Sequence, residues 1–161
     1  MPDMLVKLYG LPDVSGEVAP LRAAGVACRR AESYERSAVV EFVAAKFPQW
    51  TDEVSVAFSS VPPTVVIAAE AGAVLGFACY NVTRPDYFGP TGVDESGRGR
   101  GIGKALLLLA LEALRAEGYA YAIIGGVGPS AFYEKAVGAT IIPGSEEGIY
   151  AGMLRPRGDS R

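Results

Sequence analysis

The stretch VDESGRGRGIGKALLLLALEALRAEG, residues 93–118, contains the most informative pattern in this sequence. Its glycines fall at every second position, at Gly97, Gly99, Gly101 and Gly103. Arg98 and Arg100 stand between them, and an apolar run follows at once. The run is apolar nearly all round, which predicts a buried helix over residues 102–117. A basic, glycine-rich loop therefore leads directly into a helix.

Such a junction is suited to binding an anion. Glycine has no Cβ, so backbone amides can approach a ligand closely. The first N–H groups of a helix have no partner inside it and lie at the positive end of its dipole. The pattern is not a Walker loop, because Gly103-Lys104 is followed by Ala105, and no glycine begins the spacing Gly-x-Gly-x-x-Gly. The loop predicts a phosphate site, although a solvated surface turn fits its composition as well.

Alternation and turn residues predict the remaining elements. Strands are expected at about 5–9, 26–30, 64–69, 74–80, 87–93, 119–126, 140–142 and 149–154. Helices are expected at 14–24, 34–47, 50–58, 102–117 and 130–136. The glycines and proline within 87–93 predict an irregular strand. Without repeats or a linker, the chain is expected to form one α+β domain over residues 1–161.

Two motifs together resemble the GNAT superfamily of N-acetyltransferases. Residues 98–103, RGRGIG, fit its Arg/Gln-x-x-Gly-x-Gly/Ala motif, and residues 132–135, FYEK, precede Gly138-Ala139. The similarity extends from about Tyr34 to Leu154. It implies a central mixed, mostly antiparallel sheet of about six to seven strands, flanked by helices and splayed at strands four and five. Residues 1–30 would be an N-terminal extension joining the sheet, and 155–161 a frayed tail.

The resemblance also implies acetyl-CoA as co-substrate. The loop amides would hold its diphosphate, at Arg98, Gly99, Arg100, Gly101, Ile102, Gly103, Lys104 and Ala105. The backbone around Val93 would bind the pantetheine arm, and Tyr133 would stand near the sulfur. This family often has an asparagine after strand five, whereas this chain has Gly125-Gly126-Val127-Gly128-Pro129. We therefore expect only backbone contacts to the cofactor from that segment.

The chain contains no histidine, so carboxylates, tyrosine or backbone amides must supply any acid or base. We predict that Tyr133 protonates the departing thiolate, because a phenol stays protonated at neutral pH. An aromatic residue on an amphipathic helix is also a common core residue. Glu53 and Asp86 are the candidate bases, and each also fits a solvated surface carboxylate. No metal is expected.

The acceptor site is expected between residues 47–50 and the strand at 87–93. Trp50, Tyr87 and Phe88 would form its apolar walls, and Glu53 lies one helical turn after Trp50. The predicted acceptor is the primary amine of a small molecule, for example an amino sugar, whose lowered pKa suits a site without histidine. A protein lysine or N-terminal acetyltransferase is the alternative acceptor class. A domain that senses acetyl-CoA or an amine without turnover, and a phosphate-binding structural protein, are the alternative functions.

Composition limits the partners and the compartment. The net charge of −3 gives no general basic field for nucleic acid. We expect neither a signal peptide nor a membrane-spanning segment, because no charged region followed by an apolar one opens the sequence and no apolar stretch approaches about 20 residues. Cys28 and Cys79 are predicted to be buried free thiols, which is typical of a reducing cytoplasm. We expect a cytoplasmic protein whose partners are a small-molecule amine and, as an open alternative, a second copy in a homodimer.

Overall fold

A computed structural model describes residues 1–155. The elements follow in the order β1 (Met4–Lys7), α1 (Ser15–Ala23), β2 (Val26–Arg30), α2 (Arg36–Lys46), α3 (Thr51–Ala57), β3 (Val65–Glu70), β4 (Ala73–Tyr80), β5 (Tyr87–Val93), α4 (Ile102–Ala116), β6 (Tyr121–Ile124), α5 (Ser130–Val137) and β7 (Thr140–Ile141). The predicted tail at 155–161 lies outside the described residues except for Arg155. None of the helices in the described range is both long and apolar enough to cross a bilayer.

Within residues 1–155 the strands form one seven-stranded sheet in the order β2-β3-β4-β5-β6-β1-β7. Every pair is antiparallel except β5 and β6, which run parallel. The predicted α+β class and the mixed, mostly antiparallel sheet are confirmed. The strand boundaries at 87–93 are those that the sequence predicts.

The end of the chain differs from the prediction. Residues 149–154 form no strand; a 3-10 turn covers Gly148–Tyr150 instead. Positive φ angles at Gly144, Gly148 and Gly152 interrupt any extended run there. β1 comes from the opposite end of the sequence and pairs with both β6 and β7. The strand predicted at 149–154 is therefore wrong, and β1 is the partner of β7.

The sheet has a hydrophobic core on each face. One face packs against α1, α4 and α5, and α4 contributes most of its helical side chains. The buried residues of α4 are Ile102, Ala105, Leu106, Leu107, Leu108, Ala110, Leu111 and Leu114. The other face packs against Val39 and Val43 of α2 and Val54 and Ala57 of α3. These two layers fix α4 against β3, β4 and β5, and so fix the start of α4 beside β5.

The two cysteines are on opposite faces of the sheet. Cys28 belongs to the core beneath α4, and Cys79 to the core beneath α2 and α3. Both are free and buried, as predicted. Burial raises the pKa of both thiols, so neither forms the reactive thiolate readily.

We therefore expect a thiol reagent such as dithionitrobenzoate to detect no protein thiol in the folded protein and two after denaturation. Absorbance at the thionitrobenzoate band measures this directly. Rapid reaction of one thiol under native conditions would contradict the burial described here. Because the protein's own thiols are not expected to react, the same reagent can also follow the release of a thiol product.

Candidate active site

The centre of the site is a gap between two parallel strands. β5 and β6 are paired only at Tyr87 with Ile123 and at Phe88 with Ile124. β6 then ends, whereas β5 continues to Val93 while still paired with β4. The β4–β5 register is irregular between Ala78 and Tyr80. The second half of β5 therefore has an edge without a neighbouring strand, which agrees with the splay that the sequence predicts.

The direction of the β5 amides can be deduced from the pairing. The Asp94 amide donates to the Leu75 carbonyl at 2.8 Å, towards β4. Successive N–H groups of a strand point to opposite sides. The Val93 amide therefore points away from β4, into the gap. A backbone donor at this position suits an oxygen that gains negative charge during a reaction.

The glycine loop borders the gap at the start of α4. Gly99 and Gly101 have φ angles of +75° and +83°, a region that L side chains rarely adopt. A Cβ atom added at either position would meet nothing within 4 Å. A cavity of about 320 Å³ lies here, and it also includes Val93 and Phe132. The loop thus presents bare backbone to an open cavity.

The free amides cover a shorter range than predicted. The Arg98 amide donates to the Glu95 carbonyl at 3.2 Å, and the Ala105 amide donates to the Gly101 carbonyl at 3.2 Å. Both amides were predicted to hold the diphosphate, and turn and helix bonds already engage them. Among the described residues, the amides of 99–104 make no such backbone bond. These are the donors that remain for an anion.

The basic side chains of the loop differ in whether an ion pair already engages them. Arg100 forms an ion pair with Glu70 at 2.6 Å, and Lys104 forms one with Glu17 at 2.9 Å. Arg98 makes no ion pair within residues 1–155 and lines the cavity. Hydrogen bonds from Ser96 and from Lys46 lower the pKa of Asp94, just before the loop, to about 2. This carboxylate therefore stays ionised and anchors the loop at ordinary pH.

Tyr133 lies on α5 and is 7% exposed. Its ring packs edge-on against Phe88 at 6.3 Å and against Phe132 at 5.0 Å between centroids. Phe132 in turn lines the loop cavity. Burial raises the pKa of Tyr133, which keeps the phenol protonated and able to donate.

The opposite face of β5 carries a cluster of aromatic side chains. Phe47 stacks on Trp50 with ring centroids 5.7 Å apart, and both rings contact Phe77. Phe47 also covers Gly92, where an added Cβ would lie 2.8 Å from the Phe47 Cζ atom. Phe47 and Trp50 are each partly exposed. Phe47 thus contacts both Trp50 and Gly92 of β5.

Phe88 does not line this side. It is 3% exposed and belongs to the core beneath α4 and α5. Neighbouring residues of a strand point to opposite faces, so Tyr87 and Phe88 cannot share one cleft. The prediction that Phe88 forms an acceptor wall is therefore wrong. Tyr87 lies at the closed end of the gap, where β5 and β6 are still paired. Its ring is 3.3 Å from a Cβ atom built on Gly125.

Glu53 faces a group of residues that the sequence did not reveal. Its carboxylate accepts a hydrogen bond from the Thr83 hydroxyl at 2.5 Å. Burial, with the charges of Glu53 and Asp3 nearby, raises the pKa of Tyr150. The Tyr150 hydroxyl lies 2.6 Å from a Cβ built on Gly125. Nothing in the local sequence around Tyr150 indicates this position, because it depends on how the last segment folds back.

Residues at the N-terminus hold the segment that follows β6. The Gly126 amide donates to the Asp3 carboxylate at 2.8 Å, and the Val127 amide donates to the Pro2 carbonyl at 2.8 Å. Asp3 is 5% exposed. The glycine-rich stretch 125–129 is thus anchored to the N-terminal residues through its backbone.

Asp86, the second candidate base, stands just before β5. Its φ angle is +70°. Its amide donates to Asn81 Oδ1 at 2.7 Å, and its carbonyl accepts a hydrogen bond from the Ile123 amide at 3.0 Å. Its Oδ1 atom is enclosed without a partner, and burial raises the pKa of this carboxyl. Asp86 therefore links β5 to β6 at the closed end of the gap.

In residues 1–155 no three side chains of metal-binding type converge.

Comparisons with known proteins agree with this geometry. The profile of the acetyltransferase (GNAT) family matches residues 30–139. No curated protein matches the sequence. A structure described as a glucosamine N-acetyltransferase region of a fungal multi-domain beta-N-acetylglucosaminidase superposes with a TM-score of 0.72 at 16% identity, over 88% of this chain and 19% of that one. An N-acetyltransferase from Sphaerobacter thermophilus superposes with a TM-score of 0.67 at 19% identity, over 88% of this chain and 48% of that one.

A third structure, an acetyltransferase from Colwellia psychrerythraea, gives a TM-score of 0.59 at 16% identity, over 87% of this chain and 52% of that one. The chain thus spans about half of two of these proteins and about a fifth of the other. At such identities the superpositions establish the fold, and the family profile covers the loop, α4, β6 and α5.

Proposed function

Because the chain belongs to the GNAT family of acetyltransferases, we propose that it transfers the acetyl group of acetyl-CoA to the primary amine of a small molecule. The observation that carries the proposal is the junction of the open glycine loop with the β5–β6 gap. One end of that junction offers free amides at the start of α4, and the other offers the Val93 amide and Tyr133. A diphosphate and a thioester need donors arranged in this way.

In the proposed reaction the neutral amine attacks the thioester carbonyl directly. The carbonyl oxygen gains negative charge and accepts a hydrogen bond from the Val93 amide. When the intermediate collapses, the C–S bond breaks, and the thiolate takes a proton from the Tyr133 hydroxyl. Glu53 accepts the proton that the amine loses, through water. The products are an N-acetyl amine and coenzyme A, and the tyrosinate regains its proton from solvent.

The acceptor is proposed to enter on the face opposite α4, between the Phe47–Trp50 cluster and the Tyr87–Tyr150 pair. Aromatic faces pack well on apolar C–H groups, and Glu53 with Asp3 provides a negative potential for an ammonium. We propose that the acceptor is a small-molecule amine, and more specifically an amino sugar. The amine of such a compound has a lowered pKa, so a larger fraction is neutral at pH 7. Because the chain has no histidine to deprotonate the amine, an acceptor that is already partly neutral suits this site.

Steady-state kinetics on glucosamine, polyamines, aminoglycosides and lysine peptides test this assignment. We expect the highest kcat/KM for a small amine. A kcat/KM for a lysine peptide far above every small amine would overturn the acceptor class while leaving acetyl transfer intact. Binding of acetyl-CoA with no product from any amine would instead favour a sensing domain.

A Trp50→Ala, Glu53→Gln double variant tests the position of the acceptor site. We expect kcat/KM for the amine to fall by at least about tenfold, because a stacking face and a charge are lost together. The KM for acetyl-CoA should stay within about twofold. A Tyr34→Ala, Glu41→Gln variant changes the same residue classes at exposed positions of the same region and should behave as the wild type. Wild-type amine kinetics in the first variant would show that the acceptor binds elsewhere.

A further inference from the structure

Asp3 joins two segments of the chain beside the gap. Its carboxylate accepts a hydrogen bond from the Gly126 amide at 2.8 Å, just after β6. Its amide donates to Ser145 Oγ at 2.9 Å, and its carbonyl accepts a hydrogen bond from the Ile142 amide at 2.9 Å. Asp3 is 5% exposed, so water has little access to these bonds. We call this set of bonds the Asp3 clasp.

The clasp holds the turn that carries Tyr150. Tyr150 ends the 3-10 turn that begins at Gly148, and a Cβ atom built on Gly148 would lie 3.1 Å from Asp3 Oδ2. The Tyr150 hydroxyl lies 2.6 Å from a Cβ atom built on Gly125, next to the Gly126 amide that Asp3 holds. Asp3 and Tyr150 both lie outside the residues that match the family profile. The arrangement is therefore a feature of this chain.

The Tyr150 hydroxyl is a donor without an acceptor in the protein. Within residues 1–155 no oxygen or nitrogen atom forms a hydrogen bond with it. Burial, and then the charges of Glu53 and Asp3, raises the pKa of this phenol, so it keeps its proton at neutral pH. A protonated phenol in a partly buried site is stabilised by an acceptor oxygen. A bound substrate can supply that oxygen when it displaces water.

The charges around Tyr150 determine which oxygen suits it. Glu53 and Asp3 both act on the phenol, so the potential at this point is negative. These carboxylates would repel a substrate carboxylate, whereas a neutral hydroxyl meets no such repulsion. They attract an ammonium. An amine with a neutral hydroxyl beside it, which is an amino alcohol, therefore matches both the charges and the free donor.

We propose that Tyr150 donates a hydrogen bond to a hydroxyl group beside the reacting amine, so that the site selects amino alcohols over simple amines. Asp3 is a positioning residue, because its clasp holds the Tyr150 turn against the segment that follows β6. This inference rests on the proposed function, since it concerns the acceptor of the same reaction. It assigns the choice among small amines to a single named contact.

The kinetic test uses two acceptors that differ by one hydroxyl, trans-2-aminocyclohexanol and cyclohexylamine. The ratio of their kcat/KM values is measured in the wild type and in Tyr150→Phe. The two amines differ in pKa, but this property of the substrates cancels when the two proteins are compared. Tyr150→Phe is expected to lower the ratio about fivefold, which is the usual effect of losing one hydrogen bond. Tyr34→Phe, at an exposed tyrosine, should keep the wild-type ratio.

A Gly125→Ala variant tests the position of the hydroxyl without changing the tyrosine. The new Cβ atom would lie 2.6 Å from the Tyr150 hydroxyl, so the hydroxyl must move. The ratio should fall about as far as in Tyr150→Phe, and the double variant should show no further fall. Gly128→Ala, where a Cβ atom meets nothing within 4 Å, is the matched control. Additive effects of the two changes would contradict the inferred position.

Two variants of Asp3 test its positioning role. Asparagine keeps an oxygen that can accept the Gly126 amide, whereas alanine removes it. Asp3→Ala is therefore expected to lower the ratio, and Asp3→Asn should restore it towards the wild-type value. Equal losses in both variants would show that Asp3 does not act by holding Tyr150 in place. Thermal denaturation checks that each variant is folded.

Failure of this inference can be distinguished from failure of the proposed function. If the wild type acetylates both acceptors and a folded Tyr150→Phe protein keeps the wild-type ratio, the inference fails and acetyl transfer to a small amine stands. A higher wild-type kcat/KM for serine than for serinol, which has a hydroxymethyl group in place of the carboxylate, would also overturn the inference. If the wild type acetylates no amine at all, both proposals fail.

Discussion

Replacing Gly101 by valine is expected to abolish measurable acetyl-CoA binding. The residue stands immediately before α4, and its missing Cβ would point into space with nothing within 4 Å. A branched side chain there fills the position of the diphosphate and separates it from the amides of 99–104. Loss of two hydrogen bonds to a charged group costs about 3 kcal/mol or more, which is about a hundredfold in affinity. Calorimetric titration with acetyl-CoA measures the change.

The backbone at Gly101 requires a control, because its φ angle of +83° is strained for any side chain. Valine at such a position costs about 1–2 kcal/mol or more of folding free energy. Gly118 stands just beyond the other end of α4, with φ of +101° and also nothing within 4 Å. A Gly118→Val variant should be destabilised to a similar degree and still bind acetyl-CoA. Arg98→Ala should weaken binding less than Gly101→Val, since it removes one contact and leaves the amides in place.

The contradicting outcome is specific. A folded Gly101→Val protein that binds acetyl-CoA with wild-type affinity would show that the diphosphate does not lie on the loop. Loss of binding in both glycine variants would instead point to a general effect of destabilising α4.

The second large effect is expected from Tyr133→Phe, which should lower kcat by at least about tenfold. The substitution keeps the ring, and so keeps the contacts with Phe88 and Phe132. It removes only the hydroxyl that the proposal assigns to the departing thiolate. The dissociation constant for acetyl-CoA should change little, because binding depends on the loop. Stopped-flow measurement of the chemical step, together with calorimetry, separates the two quantities.

The pH dependence adds a second measurement of the same role. Burial raises the pKa of Tyr133 above the usual tyrosine value, so the protonated form persists into more alkaline solution. A general acid acts only when protonated, so kcat of the wild type should show no falling limb below about pH 10. Tyr119→Phe, at the far end of α4, is the matched control and should keep wild-type kcat. Unaltered turnover in Tyr133→Phe would mean that the thiolate leaves unaided and that the ring serves packing alone.

The parts of the fold that the sequence predicts well have strong local signals. α4 begins at Ile102 as predicted, because the change from glycine to a continuous apolar run marks its start. β5 has the predicted boundaries because turns enclose it on both sides. The loop geometry also follows from local sequence, since positive φ angles fall on Gly99 and Gly101.

The parts that escape prediction depend on contacts between distant residues. β1 pairs with residues 121–124 and 140–141, and no local pattern specifies that choice over the segment 149–154. The bond from the Gly126 amide to Asp3 joins residues that are 123 positions apart. The position of Tyr150 over Gly125 likewise depends on the path of the last described segment.

The error at Phe88 has a different origin. A strand of period two cannot direct Tyr87 and Phe88 to the same cleft, and this rule was available from the sequence. The resemblance located the strand correctly, but it did not determine which face each side chain occupies. The parallel pairing of Phe88 with Ile124, and its packing against Tyr133, place it in the core.

The most direct test of the account follows the acetyl group itself. The protein is incubated with acetyl-CoA that carries a labelled acetyl group and with the amine of highest kcat/KM, and the products are identified by mass spectrometry. The account predicts label on the amine nitrogen of the small molecule, with one coenzyme A thiol released for each acetyl group transferred. Tight binding of acetyl-CoA without label on any amine, or label confined to lysine peptides, would contradict it.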